Sequence, residues 1–203
     1  MAKQSESRGK PKDKRKRCWG DLEDALMRDY HDREWGMPLH DDRKIFEFLI
    51  LEGMQAGLSW KIVLDKRENF RRAFRGFDPE KVAAFTARDG RRLLGDAGII
   101  RNRLKILGAI NNAKRFLEVQ KEFETFDRYI WGFVGGKPVR NKLRSFADMP
   151  AHTPLSDLIS QDLKARGFKF VGSTVVYSHM QATGMVNDHL VTCFRYRELI
   201  CSC

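Results

Sequence analysis

No stretch of this chain approaches the roughly 18–20 apolar residues that a bilayer-crossing helix needs. The opening MAKQSESRGKPKDKRKR also lacks the apolar centre of a secretory signal. A soluble, intracellular protein with no membrane partner is expected. Cysteine is scarce: Cys18, Cys193, Cys201 and Cys203 are too few among 203 residues for a disulfide scaffold, so metal or thiol chemistry in a reducing compartment is the expected use. Alternating strand patterns, internal repeats and low-complexity tracts are missing from the body of the chain. With 42% hydrophobic and 11% aromatic residues, 14 of them Phe, that body has ample material for a packed core.

Negative charge is in short supply. Lys and Arg total 38 against 27 Asp and Glu, a net charge of +11. Residues 1–17 hold eight of the bases and two of the acids, and almost nothing that can be buried. They read as a disordered basic arm, with the folded body over 18–203. A polyanion gripped by both arm and body is the implied partner, and nucleic acid is the default; a solubilising tail on a basic enzyme is the plainer alternative.

The body reads at helical period almost throughout. Ile45, Phe48, Leu49, Glu52 and Ala56 form one stripe of a helix over Asp42 to Ala56, and Ser59 can cap a helix running to Phe74. Asp78-Pro79 is an N-cap followed by proline at the first helical position, opening a helix to about Thr86. Further helices are expected over Arg88–Leu94, Asn102–Gln120, Phe126–Val134, Ser156–Ala165 and Ser173–Thr183. Loops are expected at Gly135–Pro138 and Asp148–Pro154, the second as a handover between two helical lobes.

His189 and Cys193 are four apart, which on a helix places both on one face. With Cys18 and His31 they make the closed two-thiolate, two-imidazole set that zinc prefers for a structural site. Cys201 and Cys203 are rival ligands, and a buried cysteine with ordinary histidines is the plainer reading. The segment Arg166-Gly167-Phe168-Lys169-Phe170-Val171-Gly172-Ser173 reads as a helix-hairpin-helix turn, in which glycines let backbone N–H groups meet a phosphate. Arg166 and Lys169 flank that turn; an ordinary antiparallel helix pair would carry the same signal. Gly95 to Arg103 is a second glycine turn with bases.

Glu52 stands where apolar residues belong, whereas Glu47 lies about 140° around the helix. A buried carboxylate needs a cation or donors, from an arginine of the protein or from a ligand. Tyr30, Trp35 and Trp60 lie close in sequence, and aromatics around one acid suit a flat cationic ring; they would serve equally as core.

From about Cys18 to Tyr196 the chain resembles the DNA-3-methyladenine glycosylase I family. The resemblance rests on Tyr30-His31-Asp32-Arg33-Glu34-Trp35-Gly36, Leu51-Glu52-Gly53-Met54-Gln55-Ala56-Gly57-Leu58-Ser59-Trp60, Phe77-Asp78-Pro79, Asp96-Ala97-Gly98-Ile99-Ile100-Arg101, Arg166-Gly167-Phe168-Lys169-Phe170-Val171-Gly172 and Met185-Val186-Asn187-Asp188-His189. It implies an all-α helix-hairpin-helix DNA glycosylase fold, two helical lobes around a cleft with the hairpin near 157–183. One structural zinc on Cys18, His31, His189 and Cys193 would tie the two ends of the body together.

The resemblance also implies a base pocket of Glu52, Tyr30, Trp60, Trp35 and Trp19, with Met27 where the family often has an aromatic. Gly57 and Leu58 would form a wedge filling the gap left by an extruded nucleotide. Gly167, Lys169, Gly172 and Ser173 would contact DNA. The implied activity is hydrolytic removal of N3-methyladenine from double-stranded alkylated DNA by a monomer. No lysine after the hairpin suits a Schiff base, so no strand cleavage is expected; Asp188 is a candidate for steadying the sugar cation. The expected location is the cytoplasm or nucleoid of a bacterium, or a eukaryotic nucleus. A non-catalytic DNA-binding protein and a zinc hydrolase with an open metal position are the competing readings.

Overall fold

The computed structural model describes residues 15–19 and 23–201. Residues 1–14 of the expected arm lie outside them, as do Ser202 and Cys203. The arm's last three residues are placed: Arg17, only 8% exposed, grips the Asp32 carboxylate through Nε (2.9 Å) and Nη2 (2.7 Å). Packing therefore already includes this arginine, because a carboxylate is waiting for it.

Eleven α-helices are found among the described residues: α1 Ala25–Arg33, α2 Asp42–Gln55, α3 Trp60–Asp65, α4 Arg67–Ala73, α5 Pro79–Ala83, α6 Ala87–Gly95, α7 Arg103–Phe123, α8 Phe126–Gly132, α9 Pro154–Ala165, α10 Ser173–Ala182 and α11 Phe194–Cys201. Their starts follow from capping side chains. Asp24 accepts from the amides of Leu26 and Met27, Asp78 from Glu80 and Lys81, and Asn102 from Lys105. Thr86 with Asp89 forms a full capping box.

The all-helical expectation holds, with local differences. The helix expected from Ser59 to Phe74 is broken at Lys66, whose φ/ψ of −98/0 ends α3, and Ser59 makes no capping hydrogen bond. The helix after Pro79 stops at Ala83, and α1 and α11 carry too little apolar periodicity to have been read. Val139–Arg140 (β1) and Val186–Asn187 (β2) pair in parallel over two residues, a contact across the fold that no local pattern announces. Among the described residues no helix is long and apolar enough to cross a membrane.

The long α2, buried from Ile45 to Met54, touches α3, α7, α8 and α10. Its apolar residues join Phe70, Phe74, Phe77, Phe116 and Phe126 in the main core. A second, smaller cluster of Cys18, Tyr30, Trp35, Phe48, Leu64, Ala182 and Cys193 brings α1 and the C-terminal turn together. The site lies where the two clusters meet.

Candidate active site and metal centre

A cavity of about 340 Å³ opens beside the second cluster, lined by Trp19, Met27, Tyr30, Trp35, Glu52, Gln55, Trp60, Met149, Ser178 and Gln181. Four of its walls are rings in mutual contact. Trp19 stacks on Tyr30 (centroids 6.2 Å apart, 19° between planes) and leans on Trp35 (5.1 Å), while Tyr30 meets Trp60 at 5.2 Å. Such offset and tilted pairs are arrangements that aromatic rings favour over a face-to-face sandwich. The Trp60 Nε1–H is buried without an acceptor among the described residues.

Glu52 is 4% exposed, and among the described residues no hydrogen bond or ion pair reaches it. Burial alone pushes its carboxyl up from 4.5 to about 8. The arginine that would neutralise it is engaged elsewhere: Arg67 binds Glu47 (2.5 Å) and Glu34 (2.7 Å), and lies over the Phe48 ring (4.9 Å). Glu47, on the opposite side of α2, thus takes the buried ion pair. The Tyr30 hydroxyl is held well above its ordinary pKa by burial and then by the Glu52 charge.

Next to the cavity, one donor atom each from Cys18, His31, His189 and Cys193 lies within 4.8 Å of all the others, and all four residues are buried. Cys18 Sγ is 3.3 Å from His189 Nδ1, and Cys193 Sγ is 3.5 Å from His31 Nε2. The outward nitrogens are oriented as metal-binding histidines require: His31 Nδ1 faces Asp32 Oδ1 at 2.8 Å, and His189 Nε2 donates to the Trp35 carbonyl at 2.9 Å. The Leu190 amide donates to Cys18 Sγ (3.3 Å), a contact suited to a thiolate. Two thiols, two imidazoles and this outer layer form a group that could hold a metal ion, with four protein donors around its centre.

His189 and Cys193 do not share a helix, as their spacing suggested. They sit on the turn between β2 and α11, and converge because that turn folds back on itself. Trp35 serves both sites, its ring in the cavity wall and 4.6 Å from His189.

The Gly57-Leu58 turn projects from the end of α2, with Leu58 40% exposed and Gly57 at φ +80°. The hairpin joins α9 to α10, with Gly167 at φ +85°, Lys169 exposed and Gly172 as the N-cap of α10. The N-cap Gly172 offers no side chain to cap α10, so among the described residues its first amides remain available to an anion. The Ser173 hydroxyl engages Asp157. Arg166, read as a base for phosphate, is bound to Glu122 (2.6 Å) and Asp162 (2.7 Å), because acids one turn back and on α7 claim it. Asp188 is 1% exposed and accepts from Tyr177 (2.5 Å), Asn141 (2.6 Å) and Gln181 (2.8 Å), which ties it into the interior instead of the cavity. Met149, Ser178 and Gln181 reach the cavity from α10 and the loop before α9, outside every motif, so no local pattern pointed to them, whereas Gln55 lines it from within the Leu51–Trp60 motif at the end of α2.

A mostly helical body with a glycine turn between α9 and α10, and a ring-lined cavity around one buried acid beside a two-cysteine, two-histidine cluster, defines a glycosylase of the all-α class. Residues 19–196 match the methyladenine glycosylase family, and the chain belongs to it. It is 49% identical over 180 residues to DNA-3-methyladenine glycosylase 1 of Escherichia coli (strain K12), covering 89% of this chain and 96% of that one. A crystal structure of a 3-methyladenine DNA glycosylase I matches with a TM-score of 0.85 and 49% identity, covering 88% of this chain and 98% of that one. The Staphylococcus aureus 3-methyladenine DNA glycosylase I, solved to explain 3-methyladenine recognition, matches with a TM-score of 0.85 and 36% identity, covering 88% and 95%.

Proposed function

We propose that this protein is a monofunctional DNA-3-methyladenine glycosylase that extrudes N3-methyladenine from double-stranded DNA and hydrolyses its bond to deoxyribose, leaving an abasic site. The observation that carries this reading is Glu52, a buried acid with no cation beside it among the described residues, facing an aromatic cavity.

Alkylation at N3 makes adenine cationic and already a good leaving group, so the task is selection. Flipping costs a few kcal/mol, least for a damaged base. Stacking among Trp19, Tyr30, Trp35 and Trp60 offsets it at about 1–3 kcal/mol per base, and the ring faces favour a cation. The positive ring draws Glu52 back to its ionised form, and the carboxylate accepts from the exocyclic amine. Neutral adenine brings no such compensation and leaves the acid either protonated or unpaired. Leu58 would fill the vacated stack, while the first amides of α10, with Gly167, Lys169, Gly172 and Ser173 around them, would hold a backbone phosphate.

The four-donor cluster suits one zinc ion, with Cys18 and Cys193 as thiolates. The ion would supply a structural bond between the start and end of the body and no chemistry at the base. A monomer working in the cytoplasm or nucleoid completes the reading.

The test is release of free base from methylated duplex, with the product identified. Wild type should release 3-methyladenine, and Glu52→Gln should release it at least about 100-fold more slowly with DNA affinity little changed. No release by the wild type ends the proposal.

A further inference from the structure

Three buried positions on one face of α7 serve neither the base cavity nor the metal cluster. Lys105, Gly108 and Asn112 follow i, i+3, i+7 spacing and so form one stripe. Lys105 is a buried ammonium whose pKa burial lowers, with no carboxylate partner among the described residues. Its Nζ donates to the carbonyls of Met54 (2.8 Å) and Ala56 (2.6 Å). Those acceptors lie at the negative end of α2, immediately before Gly57 and Leu58.

Two turns along α7, Asn112 clamps the hairpin at a single residue: its Oδ1 accepts from the Lys169 amide (2.7 Å), and its Nδ2 donates to the Lys169 carbonyl (2.8 Å). Between them, a Cβ on Gly108 would stand 2.8 Å from the Phe170 ring and 3.3 Å from Lys169 Cβ. Glycine inside a helix sacrifices stability relative to alanine, and here it lets the hairpin close onto α7. Phe170 also sits at φ +57°, a conformation a bulky residue keeps only when its surroundings impose it.

One rigid helix therefore holds the root of the exposed Leu58 turn at one point and the hairpin at another, about 10 Å along its axis. We infer that Lys105, Gly108 and Asn112 are positioning residues that fix the offset between the Gly57-Leu58 wedge and the phosphate-binding hairpin. This rests on the proposed reading that both elements meet DNA. The register they set decides whether the wedge enters the duplex beside the nucleotide whose phosphate the hairpin holds.

The experiment compares Gly108→Ala, Asn112→Ala and Lys105→Met with wild type in single-turnover release of 3-methyladenine from methylated duplex. Binding of free 3-methyladenine is followed in parallel by the fluorescence of the cavity tryptophans. Release should fall about 10–100-fold, as misplacement remote from the chemistry does. Free-base affinity for the two hairpin-side variants should stay within about twofold. In a Leu58→Ala background the Gly108→Ala and Asn112→Ala losses should largely vanish, because register is irrelevant once the wedge is gone. Gly108→Ala places a strong helix former in α7 and keeps the test valid if Asn112→Ala folds poorly. Wild-type release rates in folded Gly108→Ala, or losses that add in full to Leu58→Ala, would overturn the inference. A wild type that releases no base would instead sink the functional reading beneath it.

Discussion

Replacing Glu52 with glutamine should make the protein more stable, by an amount that grows with pH. The carboxyl ionises near 4.5 when exposed and near 8 in the fold. Between those values the folded chain holds a proton that the unfolded chain has released, so stability falls as pH rises, at 1.36 kcal/mol per pH unit. The accumulated cost is about 3 kcal/mol at pH 7 and about 5 kcal/mol above pH 8, against a total domain stability of about 5–15 kcal/mol. Glutamine keeps the shape and carries no charge at any of these pH values. Equilibrium unfolding in guanidinium chloride, followed by circular dichroism at pH 5, 7 and 9, measures the difference directly. Comparing both proteins at each pH cancels the titration of every other group. The variant should gain little at pH 5 and several kcal/mol at pH 9. A pH-independent difference, or a variant less stable than wild type at pH 9, would mean that a cation stabilises the Glu52 carboxylate within the fold, and the argument for a ligand supplying that cation would fail.

The same titration should be visible in activity. kcat/KM on methylated DNA should climb with pH toward about 8 and then level as Glu52 ionises, and Glu52→Gln should abolish that limb; a falling limb would mean that the protonated acid is the working form. Stripping the proposed zinc with a strong chelator should unfold the protein or lower its melting temperature sharply, because structural zinc contributes about 10 kcal/mol or more in small modules. Melting followed alongside metal content by mass spectrometry checks this, and unchanged melting with the metal gone would refute it. Deleting residues 1–14 removes five of the chain's bases and two of its acids. It should flatten the log–log salt dependence of DNA binding by up to about 0.9 for each phosphate that the arm neutralises, and leave base preference alone. An unchanged slope would assign the arm another task. Arg15 to Arg17 should be kept in that variant, since Arg17 supports Asp32 and through it His31.

What could be read from the sequence was whatever one local pattern encodes. Glu52 stood out because a carboxylate interrupts the apolar stripe of α2, and the two-cysteine, two-histidine cluster because thiols and imidazoles are few and His189 and Cys193 stand four apart. Capping residues such as Asp78 and Asn102 marked helix starts for the same local reason. What escaped depends on partners far along the chain. Nothing near Arg166 in sequence reveals that Glu122 will claim it, and Gln181 and Met149 reach the cavity only because α10 and the loop before α9 fold across α2. His189 and Cys193 do come together, but on a turn and not on the helix their spacing suggested. Four-residue spacing brings side chains together in a turn that doubles back as well as on a helix.

The separation between the two halves of the metal cluster has a consequence for biosynthesis. Cys193 lies 162 residues after His31. At about 5–20 residues per second on the ribosome, the early pair waits roughly 8–30 seconds for its counterparts to be made. Throughout that interval Cys18 is a thiol without its eventual shell, open to oxidants or to a mismatched ion. With the proposed zinc at this cluster, newborn chains starved of the ion would be lost at this step.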